Sequence, residues 1–149
     1  MFGPMSRTPL TQALLDAQLA ELGQPPYAGP DTPAGLRRAC VAAVRAAYDS
    51  AAEPHRAVLK GAVRFLLDEL AAKAPGKSVE VRVPPYAAVQ CVEGTRHTRG
   101  TPPNVVEMDA RTWIDLATAA LTWADAVHDG RIRASGPRAD LTPYLPVAG

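Results

Sequence analysis

Residues 109–145, DARTWIDLATAALTWADAVHDGRIRASGPRADLTPYL, hold two helix starts, a helix stop and a strand. Asp109 is a residue type whose side chain accepts a backbone N–H from a first helical turn. Trp113, Leu116, Ala117 and Ala120 follow it at three-and-four spacing, which puts them on one helix face. Thr122 repeats the start signal, with Asp125 three residues on in an acidic form of the capping box, and Gly130 supplies the stop. From Arg131 to Ser135 basic side chains alternate with small or apolar ones, the mark of a strand with one wet face, and Gly136-Pro137 closes it. The predicted order is helix, helix, strand.

Upstream, Thr8-Pro9 predicts a helix over 9–22, in which Leu15, Leu19 and Leu22 recur until Gly23. Residues 24–31, QPPYAGPD, cannot continue a helix or join a sheet centre, so residues 1–31 read as a helix on a proline-rich tether, attached loosely to a main domain over 32–149. Thr32-Pro33 starts a second helix, with Leu36, Ala39, Cys40, Ala43, Val44 and Ala47 on one face. Its arginines Arg37, Arg38 and Arg45 read as a solvated face in preference to a phosphate site. A third helix over 54–74 is apolar around more than half its circumference and therefore needs two apolar neighbours, one of which is a ligand or a partner on the functional reading. Pro75-Gly76 stops it.

Val79, Val81 and Val83 alternate with Glu80 and Arg82 as a half-buried strand ending at Pro84-Pro85. The strand over 86–92 is apolar on both faces, which predicts a central position. A further strand, 104–108, runs into the Asp109 cap. Helices before and after a block of strands make the class α+β, with an antiparallel sheet of four to five strands covered by helices on one face.

The chain has 149 residues, a length that suits one sizeable core, and 16 basic against 15 acidic side chains leave no overall field for nucleic acid or an anionic membrane. Cys40 and Cys91 are too few for a zinc cage or a disulfide framework and read as buried, reduced thiols. No run of apolar residues long enough to span a bilayer occurs, so the expected compartment is the cytoplasm. His55, His97 and His128 stand far apart, none with a partner at metal-ligand spacing, and no nucleophile elbow or phosphate loop is present. No catalytic residue, metal or cofactor is expected. The one dense polar cluster is residues 93–104, EGTRHTRGTPPN. Arg96, His97 and Arg99 there make either an anion or head-group site or a solvated hairpin loop.

The Trp-headed helix, the short second helix ending in glycine, and the run Arg-Ile-Arg-Ala-Ser-Gly with a closing Ala-Asp-Leu resemble the bacterial sterol carrier family, an actinobacterial relative of the sterol carrier proteins. Residues 79–94 and 96–107 are similar to the same family, so the resemblance covers about residues 36–146. The chain departs from it at Ala119-Ala120, where related sequences carry a glycine and a basic residue. The resemblance implies a fold that encloses a lipid between sheet and helix, with Phe65, Val89, Trp113, Leu116, Trp123, Val127, Ile132 and Leu141 as its walls and Arg96, His97 and Arg99 at the head group. The implied function is non-catalytic binding of a fatty acyl or sterol-like lipid. The rival reading is a protein-interaction or regulatory module whose cavity is filled, with a partner on the N-terminal or third helix. A related fold also closes one end of mycothiol-dependent maleylpyruvate isomerases, which adds an accessory role to an enzyme.

Overall fold

The computed structural model of the chain describes residues 9–94 and 103–148. Two compact units are present, residues 1–65 and 66–149.

The first unit is helical. Helix α1, Gln12–Glu21, is capped by Thr11, whose hydroxyl accepts from Leu14 N at 3.2 Å. The cap is thus the second threonine of Thr8-Pro-Leu-Thr11; Thr8 lies outside the described residues. Helix α2, Pro33–Asp49, starts as its Thr32-Pro33 signal predicts, with Thr32 accepting from Gly35 N at 3.0 Å. Helix α3, Arg56–Lys73, contributes residues 56–65 to this unit and 66–73 to the next.

α1 is docked, which corrects its reading as a loose arm. Leu15 is completely buried, and Gln18, a polar residue the apolar stripe did not include, is 1% exposed. The Gln18 side-chain oxygen accepts from His55 N at 2.6 Å, satisfying a donor that the start of α3 would otherwise leave unpaired. His55 Nε2 also lies 2.8 Å from Glu21 Oε2. The proline-rich segment folds back on α1. Tyr27 N donates to Asp16 at 2.8 Å, and Tyr27 O accepts from Gln12 at 3.1 Å.

The second unit carries the sheet. Its strands are β1, Val79–Val83; β2, Ala87–Cys91; β3, Asn104–Met108; and β4, Ile132–Ser135. Helices α4, Ala110–Ala117, and α5, Trp123–His128, lie between β3 and β4 in sequence. The sheet order is β2-β1-β3-β4. Pairing of β1 with β2 and of β3 with β4 is antiparallel, but β1 and β3 run parallel, so the sheet is mixed and the wholly antiparallel expectation is corrected. The reason is topological. A β1–β2 hairpin followed by a connection that returns past β1 brings the third strand alongside the first in the same direction.

β2 is an edge strand, not the central one expected. Two of its five side chains are alanine, too small to mark burial, and Ala87 to Gln90 are half-buried or exposed. Register gives the sheet two faces. Val79, Val81 and Val83 share one with Cys91, Val89, Val106 and Met108, and all but Val89 are buried. Glu80, Arg82, Glu107 and Arg133 stand on the other, where Arg82 pairs with Glu80 at 2.6 Å and Arg133 with Glu107 at 3.8 Å. One covered and one charged face is the arrangement the alternation in β1 predicts.

The end of α3 is clipped to the end of β2. Val92 N donates to Ala74 O at 2.6 Å, and Ser78 N and Oγ donate to Val92 O at 3.0 and 2.7 Å. Gly76 lies between them at φ +150°, and a Cβ there would fall on the Val92 backbone, so the stop signal is also a packing requirement.

Candidate functional site

α4 begins where the sequence places it, with Asp109 accepting from Thr112 N at 2.8 Å. It ends at Ala117, one turn short of Ala120, because Ala119 takes the left-handed conformation at φ +67°. A residue with a Cβ pays about 1–2 kcal/mol in that region, a cost that a glycine at position 119 would not carry. Thr122 caps α5 by accepting from Asp125 N at 3.1 Å, and Gly130, at φ +70°, follows its end. The C-terminal segment returns to α4. Val147 N and Ala148 N both donate to Ala117 O at 3.0 Å, and Lys73 Nζ donates to Pro146 O at 3.1 Å.

The wall candidates fall into three groups. Trp113 and Leu141 have no exposed surface and Leu116 has 1%. A side chain without accessible surface borders no void that admits water, so these three are packed against protein atoms and wall no open cavity in this conformation. Val89 and Ile132 share the covered sheet face but are only half-buried, as is Trp123 at the start of α5. Val127 is 51% exposed, at the surface and not within a wall. Phe65, half-buried in the first unit, lies under the Arg38 guanidinium at 5.9 Å from the ring centre. Arg96, His97 and Arg99 lie outside the described residues.

Two buried polar centres escaped sequence reasoning. Asp115, 7% exposed in α4, accepts from Arg111 Nε at 3.1 Å and lies 3.6 Å from Arg131 Nη2, while Arg131 Nε donates to Thr112 at 3.0 Å. Asn104, 2% exposed, donates from Nδ2 to Ser78 O at 2.7 Å and accepts at Oδ1 from Arg138 N at 2.8 Å. The strand sequence Asn-Val-Val-Glu-Met gives no hint that its first residue ties three chain segments together. The basic residues of Arg-Ile-Arg, read only as a wet strand face, supply a partner for the buried carboxylate of α4.

A cavity of about 560 Å³ lies in the first unit. Pro9 to Gln12 at the start of α1 form one side. Asp31, Thr32, Pro33, Leu36 and Arg37, at the start of α2, form the second. The first turns of α3 give the third through Ala57, Lys60, Gly61 and Arg64. Gly61 permits this approach, since a Cβ on it would sit 3.0 Å from Cys40 Sγ and 3.1 Å from Leu10 Cδ2. Among the described residues Arg37 and Arg64 make no hydrogen bond or ion pair, whereas Arg45 pairs with Asp49 at 3.2 Å. A second cavity of about 420 Å³ on the charged sheet edge sets Glu107 and Asp109 against Arg131 and Arg133, so its charges largely answer one another.

No group of three or more histidine, cysteine or acidic side chains that would hold a metal occurs among the described residues. Both thiols are buried. Burial pushes Cys40 up to about 12, against the opposing Arg37 guanidinium, and Cys91 up to about 11. Native thiols should therefore react with a disulfide reagent at neutral pH only as fast as the protein opens, and addition of denaturant should release both. Because the folded values lie above the ordinary 9.0, the native state holds protons that the unfolded chain loses. That contribution is intact below pH 9 and is lost between about 9 and 12, so thermal stability should fall across that alkaline window, and Cys40→Ala and Cys91→Ala should flatten the fall.

No described helix is long and apolar enough to cross a membrane. No curated protein matches the chain. Residues 55–147, from the residue before α3 to the C-terminal segment that closes on α4, match the family model described as bacterial SCP ortholog, a span that starts later than the resemblance read from residue 36. The cap at Asp109, the second cap at Thr122, the Gly130 stop and the strand that follows all fall within that match, and the chain belongs to the bacterial SCP orthologs, the bacterial branch of the sterol carrier proteins.

Proposed function

We propose that the protein binds a hydrophobic small molecule, a fatty acyl or sterol-like lipid, without a catalytic step. The observation that carries this reading is family membership over residues 55–147, more than half of the chain. It is supported by a covered sheet face built of valine, methionine and cysteine side chains with no charged group on it. Native mass spectrometry of the protein from its own host, followed by extraction, should reveal one lipid per chain. A bare mass that stays unchanged after incubation with fatty acids and sterols would overturn the reading.

The second reading, an interaction module that has kept the fold with its interior filled, is favoured by the complete burial of Trp113, Leu116 and Leu141. The bare-mass outcome would select it. α1 is a poor partner surface on that reading, since Leu15 and Gln18 are already buried. The exposed Val127 of α5 and the wet side of α3 are the better ones.

A further inference from the structure

We infer that the cavity of the first unit is a binding site for a small amphiphilic anion, an acyl chain with a carboxylate or phosphate head. Nine of the residues around it precede residue 55 and so stand outside the family match. The inference rests on the proposed reading of an acyl ligand, and adds a place for it and an orientation.

Volume, lining and charge agree. A space of about 560 Å³ is within the range of roughly 300–1,000 Å³ that small-ligand pockets occupy. Leu10, Pro33, Leu36, Ala57 and Gly61 offer an apolar wall for a hydrocarbon body. Arg37, Lys60 and Arg64 line the cavity together with the single carboxylate of Asp31, and the two arginine charges alone outnumber it in a chain whose formal net charge is +1. Arg37 and Arg64 have no hydrogen-bonding or ion-pair partner among the described residues, so their forks are available to an oxyanion. The first turns of α1 and α2 line the same space and add the positive ends of two helix dipoles. The lysine and one arginine sit four residues apart on α3, which places them on one face of that helix.

Sequence reading took the α2 arginines as one solvated face. The structure separates them: Arg45 pairs with Asp49, Arg38 covers Phe65, and Arg37 enters the cavity lining.

The test is titration of the full chain with laurate, dodecyl phosphate and dodecanol, followed calorimetrically. One molecule of either anion should bind, about ten-fold more tightly than the alcohol, with the difference shrinking as salt is raised. The preferred anion identifies the head group. Arg37→Gln combined with Arg64→Gln should remove the preference for anions and leave the melting temperature in place, because neither side chain holds another described residue. Ala57→Phe should fill the cavity and abolish binding of all three. If laurate and dodecyl phosphate bind undiminished to both variants, the ligand lies elsewhere; this inference falls while the proposed function stands. If neither anion binds the unaltered chain, the inference also falls, and the lipid extraction above decides the function separately.

Discussion

Replacement of Trp113 by alanine is expected to destabilise the protein by about 3–5 kcal/mol, the usual cost of removing a large buried aromatic side chain. The residue has no exposed surface, and it lies in α4, where Ala110 and every position from Thr112 to Ala117 are buried. A hole left there cannot be filled by an exposed side chain turning inward, so both the lost burial and the empty volume should be felt. For a chain of this length each kcal/mol moves the melting temperature by roughly 2–4 °C, and a fall on the order of 10 °C follows. Trp123→Ala is the control. That side chain is half-buried at the first position of α5, and its loss should have a clearly smaller effect in the same thermal and urea titrations. Equal effects from the two would show that α4 is not the packing centre of its unit. The comparison also bears on function. If Trp113 lined an occupied lipid cavity, its removal would enlarge the site and alter ligand affinity in a variant that stays folded; as a packing residue it should change stability first.

Local chemistry was readable because it acts over a few residues. Thr32, Asp109 and Thr122 each accept from an N–H three positions on, and each is marked by near neighbours: Pro33 after Thr32, the helically spaced apolar residues after Asp109, and Asp125 after Thr122. The strand from Val79 showed its burial in its alternation. What could not be read acts over longer separations. The parallel pairing of β1 with β3 depends on which side of β1 the chain returns to, and no residue within either strand encodes that. Gln18 and Asn104 look like surface residues, and are buried because their amides meet His55 N, 37 positions away, and Ser78 O and Arg138 N, 26 and 34 positions away. The candidate site follows the same rule. Its lining comes from residues 9–12, 31–37 and 57–64, three stretches with no motif in common, so the arginine that matters could be separated from its neighbours only once the helices were placed.

Asn104 is where the second large effect is expected, about 2–3 kcal/mol for Asn104→Ala. Its amide bridges the start of β1 at Ser78, its own strand and the chain leaving β4 at Arg138. Ser78 is completely buried, so its carbonyl, deprived of the Asn104 donor, has no access to water, and an unsatisfied buried group costs about 1–3 kcal/mol on its own. The site cannot relax by letting β4 move inward. Gly136 stands at φ +101° with the Pro103 carbonyl and the Asn104 Cα, backbone atoms that the substitution leaves in place, where a Cβ would be, so the backbone there is already as close as glycine allows. Asn104→Asp separates the two hydrogen bonds. An aspartate keeps an oxygen for Arg138 N but loses the donor to Ser78 O and sets a buried carboxylate against that carbonyl, so it should be at least as destabilising as alanine near neutral pH. Lowering the pH through the carboxylate range should restore part of the loss, because a protonated acid regains a donor. The sign is fixed by burial: desolvation and the facing carbonyl both disfavour the charged form, so the variant gains stability as it takes up the proton. If thermal melts show Asn104→Asp matching the unaltered chain at neutral pH, the donor to Ser78 contributes nothing, and the three segments are held together by the valine face alone.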